Sequence, residues 1–268
     1  MGFLTSTIQV RARYRRCQAA WQPHLTSTRT AILAAAKLAT GRRKALLFGA
    51  GLLHDIPLRE LAASFEEVLL ADIVHSVASR LAARRFPNVR LLTLDVTGIM
   101  RELPRLRDSP GIPLPASAPD AFLEDCRLDF TVSVNLLSQL GWVPGRFLGA
   151  LRPEADLAAF QRGLVLAHLE YLGQLPGHTA LITDVRWCAR PLAPGGKGAR
   201  EWEVLQGVHL PEPDWAWDWE IAPAPESEPG VDYTAKVHGY ADWKKAGGGG
   251  GLGRKAGGTG GGDPAAKN

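Results

Sequence analysis

No aspartate or glutamate occurs before Asp55, although Arg11, Arg13, Arg15, Arg16, Arg29, Lys37, Arg42, Arg43 and Lys44 all do. A start of one charge sign reads as a solvated helix face, or as a surface for an acidic partner or an anionic substrate. It also has the composition of a mitochondrial transit peptide, but helical periodicity runs through it into the first strand. Cysteine is scarce. Cys17, Cys126 and Cys188 lie far apart with no metal-ligand spacing, which reads as free thiols in a reducing compartment, the cytoplasm. No apolar stretch reaches the ~18 residues of a membrane helix; the best candidate, residues 31–39, is short and carries Lys37. The N-terminus lacks the basic-then-apolar layout of a signal peptide. There is no internal repeat, no Gly-x-Ser-x-Gly elbow and no His/Cys/carboxylate set spaced for a metal.

What is present is enough for one large core: 268 residues, 46% of them hydrophobic. The net charge is +4, and the tail from residue 246 supplies +2 of it through Arg254, Lys255, Lys267 and Asp263. The body is near neutral, unlike an obvious nucleic-acid binder.

Residues 8–20 have helical spacing, and Pro23 is expected to end that helix. Thr26, Ser27 or Thr28 then cap a second helix ending at Gly41. Residues 44–50 form a short apolar run that stops at Gly49-Ala50-Gly51, as a strand buried on both faces does. Pro57 suits the first turn of the following helix. Residues 67–73 make a second buried strand ending in Asp72. Residues 75–85 make a helix with Val77, Leu81 and Ala82 inward. Residues 89–98 give a third strand, with Asp95 near its end. Strands alternating with helices imply right-handed crossovers and a parallel sheet. Residues 99–126 are proline-rich and irregular, which reads as an insertion or lid. A fourth strand, residues 128–137, runs out into Asn135 and Leu136. A long helix over 156–172 leads to a fifth strand at 179–187.

The pattern then changes. Residues 201–208 and 215–221 have no full helix between them and read as an antiparallel pair closing the sheet. Trp215, Trp217 and Trp219 share one face at period two, as packing or as an aromatic wall. Residues 223–245 read as a C-terminal extension. Residues 246–268 are mostly glycine and are expected to be disordered.

In a parallel sheet all carboxyl ends lie on one edge, so Gly49, Gly51, Asp72, Asp95 and Asn135 converge on one crevice. Glycines allow a ligand to lie against the backbone. An acid ending the second strand can accept from two ribose hydroxyls. One after the third can accept from an adenine amine. The same acids would also serve as caps of their own turns.

On these residues the chain resembles the class I S-adenosylmethionine-dependent methyltransferase family, over residues 27–222. The matching motifs are Phe48-Gly49-Ala50-Gly51, Asp72, Leu94-Asp95-Val96 and the fourth-strand segment Asp129 to Ser138. The resemblance implies an α/β three-layer sandwich, a Rossmann-like sheet of seven mostly parallel strands whose last two form an antiparallel pair. The pattern itself divides the chain into helices over 1–43 and a domain over 44–222. The resemblance implies S-adenosylmethionine bound by Phe48, Gly49, Ala50, Gly51, Asp72, Ile73, Asp95, Val96, Asn135 and Leu136. The family often has an acid within the first strand and a third glycine; Leu47 and Leu53 stand there, which leaves Asp55 or His54 as substitutes. The acceptor is unknown, with a small molecule favoured and a nucleic acid still open. No general base is assigned; Ser133, Asn135, Ser138, Gln139 and His54 are the polar groups near the mouth. The alternative is a non-catalytic module that binds a partner through the basic N-terminal helices or the Trp face. A nicotinamide-dependent oxidoreductase fits less well, because no Gly-x-Gly-x-x-Gly is complete.

Overall fold

A computed structural model describes residues 2–115, 117–193 and 198–247. The glycine-rich tail expected to be disordered lies outside the described residues from 248 onward. Two helices come first, α1 (Phe3–Arg16) and α2 (Gln18–Leu38). The break falls at Cys17, and Pro23 lies inside α2 rather than ending a helix. An interior proline costs a helix ~3 kcal/mol. Trp21, Leu25, Ile32 and Ala35 are all buried along α2. At roughly 1.5–3 kcal/mol for each large apolar side chain, that burial outweighs the proline.

The chain continues through β1 (Lys44–Phe48), α3 (Leu58–Ser64), β2 (Glu67–Asp72), α4 (Val77–Ala83), β3 (Val89–Thr93) and α5 (Leu103–Asp108). Then come β4 (Leu128–Val134), α6 (Trp142–Leu148), α7 (Glu154–Gln174) and β5 (His178–Pro191). The last elements are β6 (Arg200–Glu203), β7 (Trp215–Ala222), β8 (Val231–Tyr240) and α8 (Trp243–Gly247). The strand order is β3-β2-β1-β4-β5-β8-β7, with β6 beside β5 off that path. Strands β1 to β5 are mutually parallel. β8 runs antiparallel to both β5 and β7. This is the Rossmann-like methyltransferase arrangement, with an antiparallel pair at one end.

The identity of that pair differs from expectation. Residues 201–208 do not pair with β7. Only Arg200–Glu203 is strand, and it pairs with the outer part of β5. The partner of β7 is β8, which lies in the segment expected to be an extension beyond 222. In β8, Tyr233, Ala235 and Val237 alternate into one core.

Alternation along β1 sends Ala45 and Leu47 to one face and Leu46 and Phe48 to the other. The first face packs against α2, α3 and α4, and the second against α5, α6, α7 and α8. That makes three layers. In α4 the expected inner residues Val77 and Leu81 are exposed, and Ser79 and Ala83 are buried instead. The helix is short and docks through small residues; Ser79 Oγ donates to the Gly51 carbonyl at 2.6 Å. The described residues of 99–126 pack on the α5 side of the sheet. Arg152 holds them there by donating to the carbonyls of Leu106 (2.6 Å), Ser109 (3.0 Å) and Ile112 (2.7 Å).

Among the described residues, no helix is long and apolar enough to cross a membrane.

Candidate functional site

At the carboxyl edge of the parallel strands the chain after β1 must turn sharply. Gly49 has φ of 80°, a left-handed value that favours glycine. A Cβ added there would lie 2.2 Å from the Val134 carbonyl oxygen. At Gly51 an added Cβ would lie 2.8 Å from both Asp72 Oδ2 and the Val74 carbonyl oxygen. Both glycines are therefore needed for close backbone approach. Leu53 also has positive φ, 60°. The position of the missing third glycine keeps a glycine-like backbone.

Asp72, the last residue of β2, accepts from Gly51 N–H at 2.8 Å through Oδ2 and from Val74 N–H at 3.1 Å through Oδ1. A carboxylate has about four acceptor sites. The Ile73 N–H also approaches the carboxylate, which leaves it acceptor capacity for a ligand hydroxyl. Burial pushes the Asp72 carboxyl above its ordinary range, against the hydrogen bonds from Val74 and Gly51.

Asp95 lies in the loop after β3 and is more fully used. Oδ1 accepts from Thr97 N–H (3.0 Å) and Thr97 Oγ1 (2.6 Å), and Oδ2 accepts from Met100 N–H (2.8 Å). It holds its own turn and has one acceptor direction to spare.

Asn135, just past β4, has φ of 48°, tolerable for asparagine. Its Nδ2 donates to Asp55 Oδ2 at 2.8 Å and lies 3.3 Å from His24 Nε2. Burial raises the Asp55 pKa, opposed by the Asn135 hydrogen bond. Trp217 Nε1 donates to His24 Nδ1 at 3.1 Å, and the His24 ring stacks on Trp219 at 4.0 Å. Burial lowers His24 to about 3, so it is neutral.

A cleft of about 2090 Å³ opens along this edge. Ligand sites run to roughly 300–1,000 Å³, so there is room for two ligands. Gly49, Gly51, Asp72, Ile73, Asp95, Val96, Asn135 and Leu136 all line it. Phe48 and Ala50 do not; both are fully buried, because alternation turns their side chains into the two cores. Ser138, Gln139 and His54 also line the cleft. Ser133 does not reach it: it is buried in β4 with its hydroxyl 3.0 Å from His168 Nε2.

The far side of the cleft carries residues that the sequence pattern did not single out. Asp184 and Trp187 of β5 face it, as do Trp202 and Glu203 of β6. The roof is α1 rather than residues 99–126, of which only Met100 lines the cleft among the described residues. α1 buries none of its residues and is held from its C-terminal half. Tyr14 stacks on His54 at 3.7 Å, and Arg16 donates to both oxygens of Glu226 at 2.7 and 2.6 Å. The Trp face is not free for a partner. α2 covers it: Trp21 Nε1 donates to the Ile221 carbonyl at 3.0 Å, and Trp21 meets Trp219 edge-on at 4.8 Å.

No family model matches the chain, and no curated protein matches it. Solved structures similar to it include complexes with S-adenosylmethionine or S-adenosylhomocysteine. A DhpI-SAM-HEP complex shares 14% identity with a TM-score of 0.37, covering 88% of this chain and 98% of that one. The glycopeptide N-methyltransferase MtfA complexed with S-adenosyl-L-methionine shares 16% with a TM-score of 0.35, over 78% and 75% of the two chains. The Burkholderia thailandensis 1,6-didemethyltoxoflavin-N1-methyltransferase, with bound 1,6-didemethyltoxoflavin and S-adenosylhomocysteine, shares 13% with a TM-score of 0.32, over 89% and 90%. These values are low, and the fold rests on the chain's own strand order.

Proposed function

We propose that the chain is an S-adenosylmethionine-dependent methyltransferase with a small-molecule acceptor. The observation that carries the reading is the Gly51–Asp72 pair. There the Asp72 carboxylate, with acceptor capacity beyond its backbone bonds, lies beside a turn so tight that a Cβ at Gly49 or Gly51 would collide. A nucleoside fits that cradle: flat and edge-bound, with two adjacent hydroxyls. When bound, S-adenosylmethionine supplies an electrophilic methyl on a sulfonium sulfur.

The chain's residues bind and orient. Asp72 accepts from the ribose hydroxyls, while Ile73, Val96 and Leu136 give apolar walls. Asp95 offers its remaining acceptor direction to the adenine amine. Asp55, held by Asn135, provides the carboxylate for the cofactor's ammonium end, the role that Leu47 cannot fill. α1 closes the cleft over the far side, which supports a small acceptor and limits water. Positioning of this kind can supply about 7–11 kcal/mol of barrier reduction without a general base. Free thiols at Cys17, Cys126 and Cys188 support a cytoplasmic setting.

Calorimetric titration with S-adenosylhomocysteine tests the assignment. Wild type should bind, and Asp72→Ala should weaken binding about 10- to 100-fold, the worth of one charge-assisted hydrogen bond or more. No binding to wild type, or undiminished binding to a folded Asp72→Ala, would sink it.

A further inference from the structure

β5 carries a charged group that cofactor binding does not use. Asp184 ends the buried stretch of the strand and is itself only 4% exposed. A buried carboxylate costs several kcal/mol unless an opposite charge or a full set of hydrogen bonds compensates it. Among the described residues no Lys, Arg or His pairs with Asp184. Its side-chain partners are Ser138 Oγ on Oδ1 and Trp187 Nε1 on Oδ2 at 2.7 Å. Indole N–H can only donate, so Oδ2 acts as an acceptor; the residue's own N–H also approaches the carboxylate, and with three donors against about four acceptor sites, acceptor capacity remains.

The backbone is irregular at this point. The register of β5 against β8 shifts between Asp184 and Arg186. Bulges of this kind re-aim a side chain and recur beside active sites. Here Asp184, Ser138 and Trp187 all face the cleft. The place is next to the candidate cofactor edge, since Asn135 N–H bonds the Ile182 carbonyl at 2.8 Å. The wall continues through Trp187 and Trp202, half-buried rings 6.2 Å apart.

We propose that this wall is the acceptor subsite and that the acceptor is an amine on an aromatic or apolar body, its cationic nitrogen held by Asp184 and its body against Trp187 and Trp202. That the ligand here is a methyl acceptor rests on the methyltransferase reading. Asp184 anchors the nitrogen, and no proton or methyl moves through it. A cation beside indole faces gains further attraction once desolvated.

The full 268-residue chain, with and without S-adenosylhomocysteine, is titrated calorimetrically with tryptamine and with tryptophol, its neutral alcohol counterpart. Tryptamine should bind about 10- to 100-fold tighter, the ratio a charge-assisted hydrogen bond gives. Asp184→Asn should erase that ratio and leave S-adenosylhomocysteine affinity unchanged. It should also keep or raise Tm, because asparagine still accepts from Trp187 and removes an uncompensated buried charge. Ser138→Ala, which keeps the charge, should retain the tryptamine preference and covers the case in which Asp184→Asn does not fold. Equal binding of the two compounds, binding of neither, loss of the preference in Ser138→Ala, or a preference that survives Asp184→Asn overturns the proposal. Amine preference without S-adenosylhomocysteine binding would remove the methyltransferase reading and leave the amine subsite. The reverse result would remove the amine subsite alone.

Discussion

Replacing His168 with glutamine should flatten the pH dependence of stability, by an amount that follows from the burial of one ring. His168 of α7 is 1% exposed; Nε2 faces Ser133 Oγ at 3.0 Å, and Nδ1 has no partner. Burial lowers its pKa from 6.5 to about 4. The unfolded chain therefore holds a proton between pH 6.5 and 4 that the folded chain refuses. Stability is fully present above the unfolded value and is lost as pH falls through that window. Each pH unit there is worth about 1.4 kcal/mol, so from pH 7 to 4.5 His168 alone removes about 2.5 kcal/mol. That is a large part of a typical total of about 5–15 kcal/mol. His24, lowered to about 3 by burial, acts in the same sense. Asp55, Asp72 and Asp184 act in the opposite sense, because burial raises each of them and the folded chain takes up their protons first. These contributions cancel when wild type is compared with His168→Gln by urea unfolding at pH 7, 5.5 and 4.5. The wild-type advantage should shrink by about 2.5 kcal/mol between the first and last pH. Parallel curves would refute the reasoning, since they would mean that the ring takes up its proton alike in both states.

Gly49→Ala should cost about 2–4 kcal/mol in urea unfolding, because a left-handed backbone and a 2.2 Å contact with the Val134 oxygen both resist a Cβ; a loss under about 1 kcal/mol would mean that the turn relaxes freely. Glu226→Gln should leave global stability within about 1 kcal/mol, as expected for a partly exposed ion pair. It should nonetheless speed trypsin cleavage within α1, whose Arg16 and Arg13 lie 2.6 and 3.5 Å from Glu226; unchanged cleavage would show that the ion pair does not hold the roof.

The parallel half of the sheet was legible because its strands are apolar runs, and the first three are followed by a glycine or an acid. A doubly wound sheet makes that end the functional edge, so Gly51 and Asp72 could be matched before any coordinates. The antiparallel half follows another rule. Tyr233, Ala235 and Val237 alternate with Thr234, Lys236 and His238, which is a strand signal at period two, but continuous apolar runs do not reveal it. The same difference explains Asp184. A search for polar groups at strand ends passes over an acid inside a strand, although a lone charge within residues 179–185 was the available cue. Pro23 shows the limit of local rules: the burial of Trp21 and Leu25 keeps α2 helical through it. Val77 and Leu81 show another, since a short helix can dock through serine and alanine while its larger residues face water.

The two departures from the family pattern mean different things once backbone and burial are known. At Leu53 the glycine is gone but its conformation is not: φ is 60°, at a steric cost of roughly 1–2 kcal/mol for a residue with a Cβ. The side chain packs against the first core, which offsets that strain and lets the turn persist without its usual residue. At Leu47 the departure is real. The side chain is fully buried against α2 and α3, where an ionised acid would have no partner. A carboxylate instead enters from the loop, where Asp55 meets Asn135 at 2.8 Å and lines the cleft. Motif identity thus misjudges both positions, in opposite directions. Position 53 looks lost and is kept in backbone form, while under the proposed reading the carboxylate absent at Leu47 is replaced by Asp55, eight residues later along the chain.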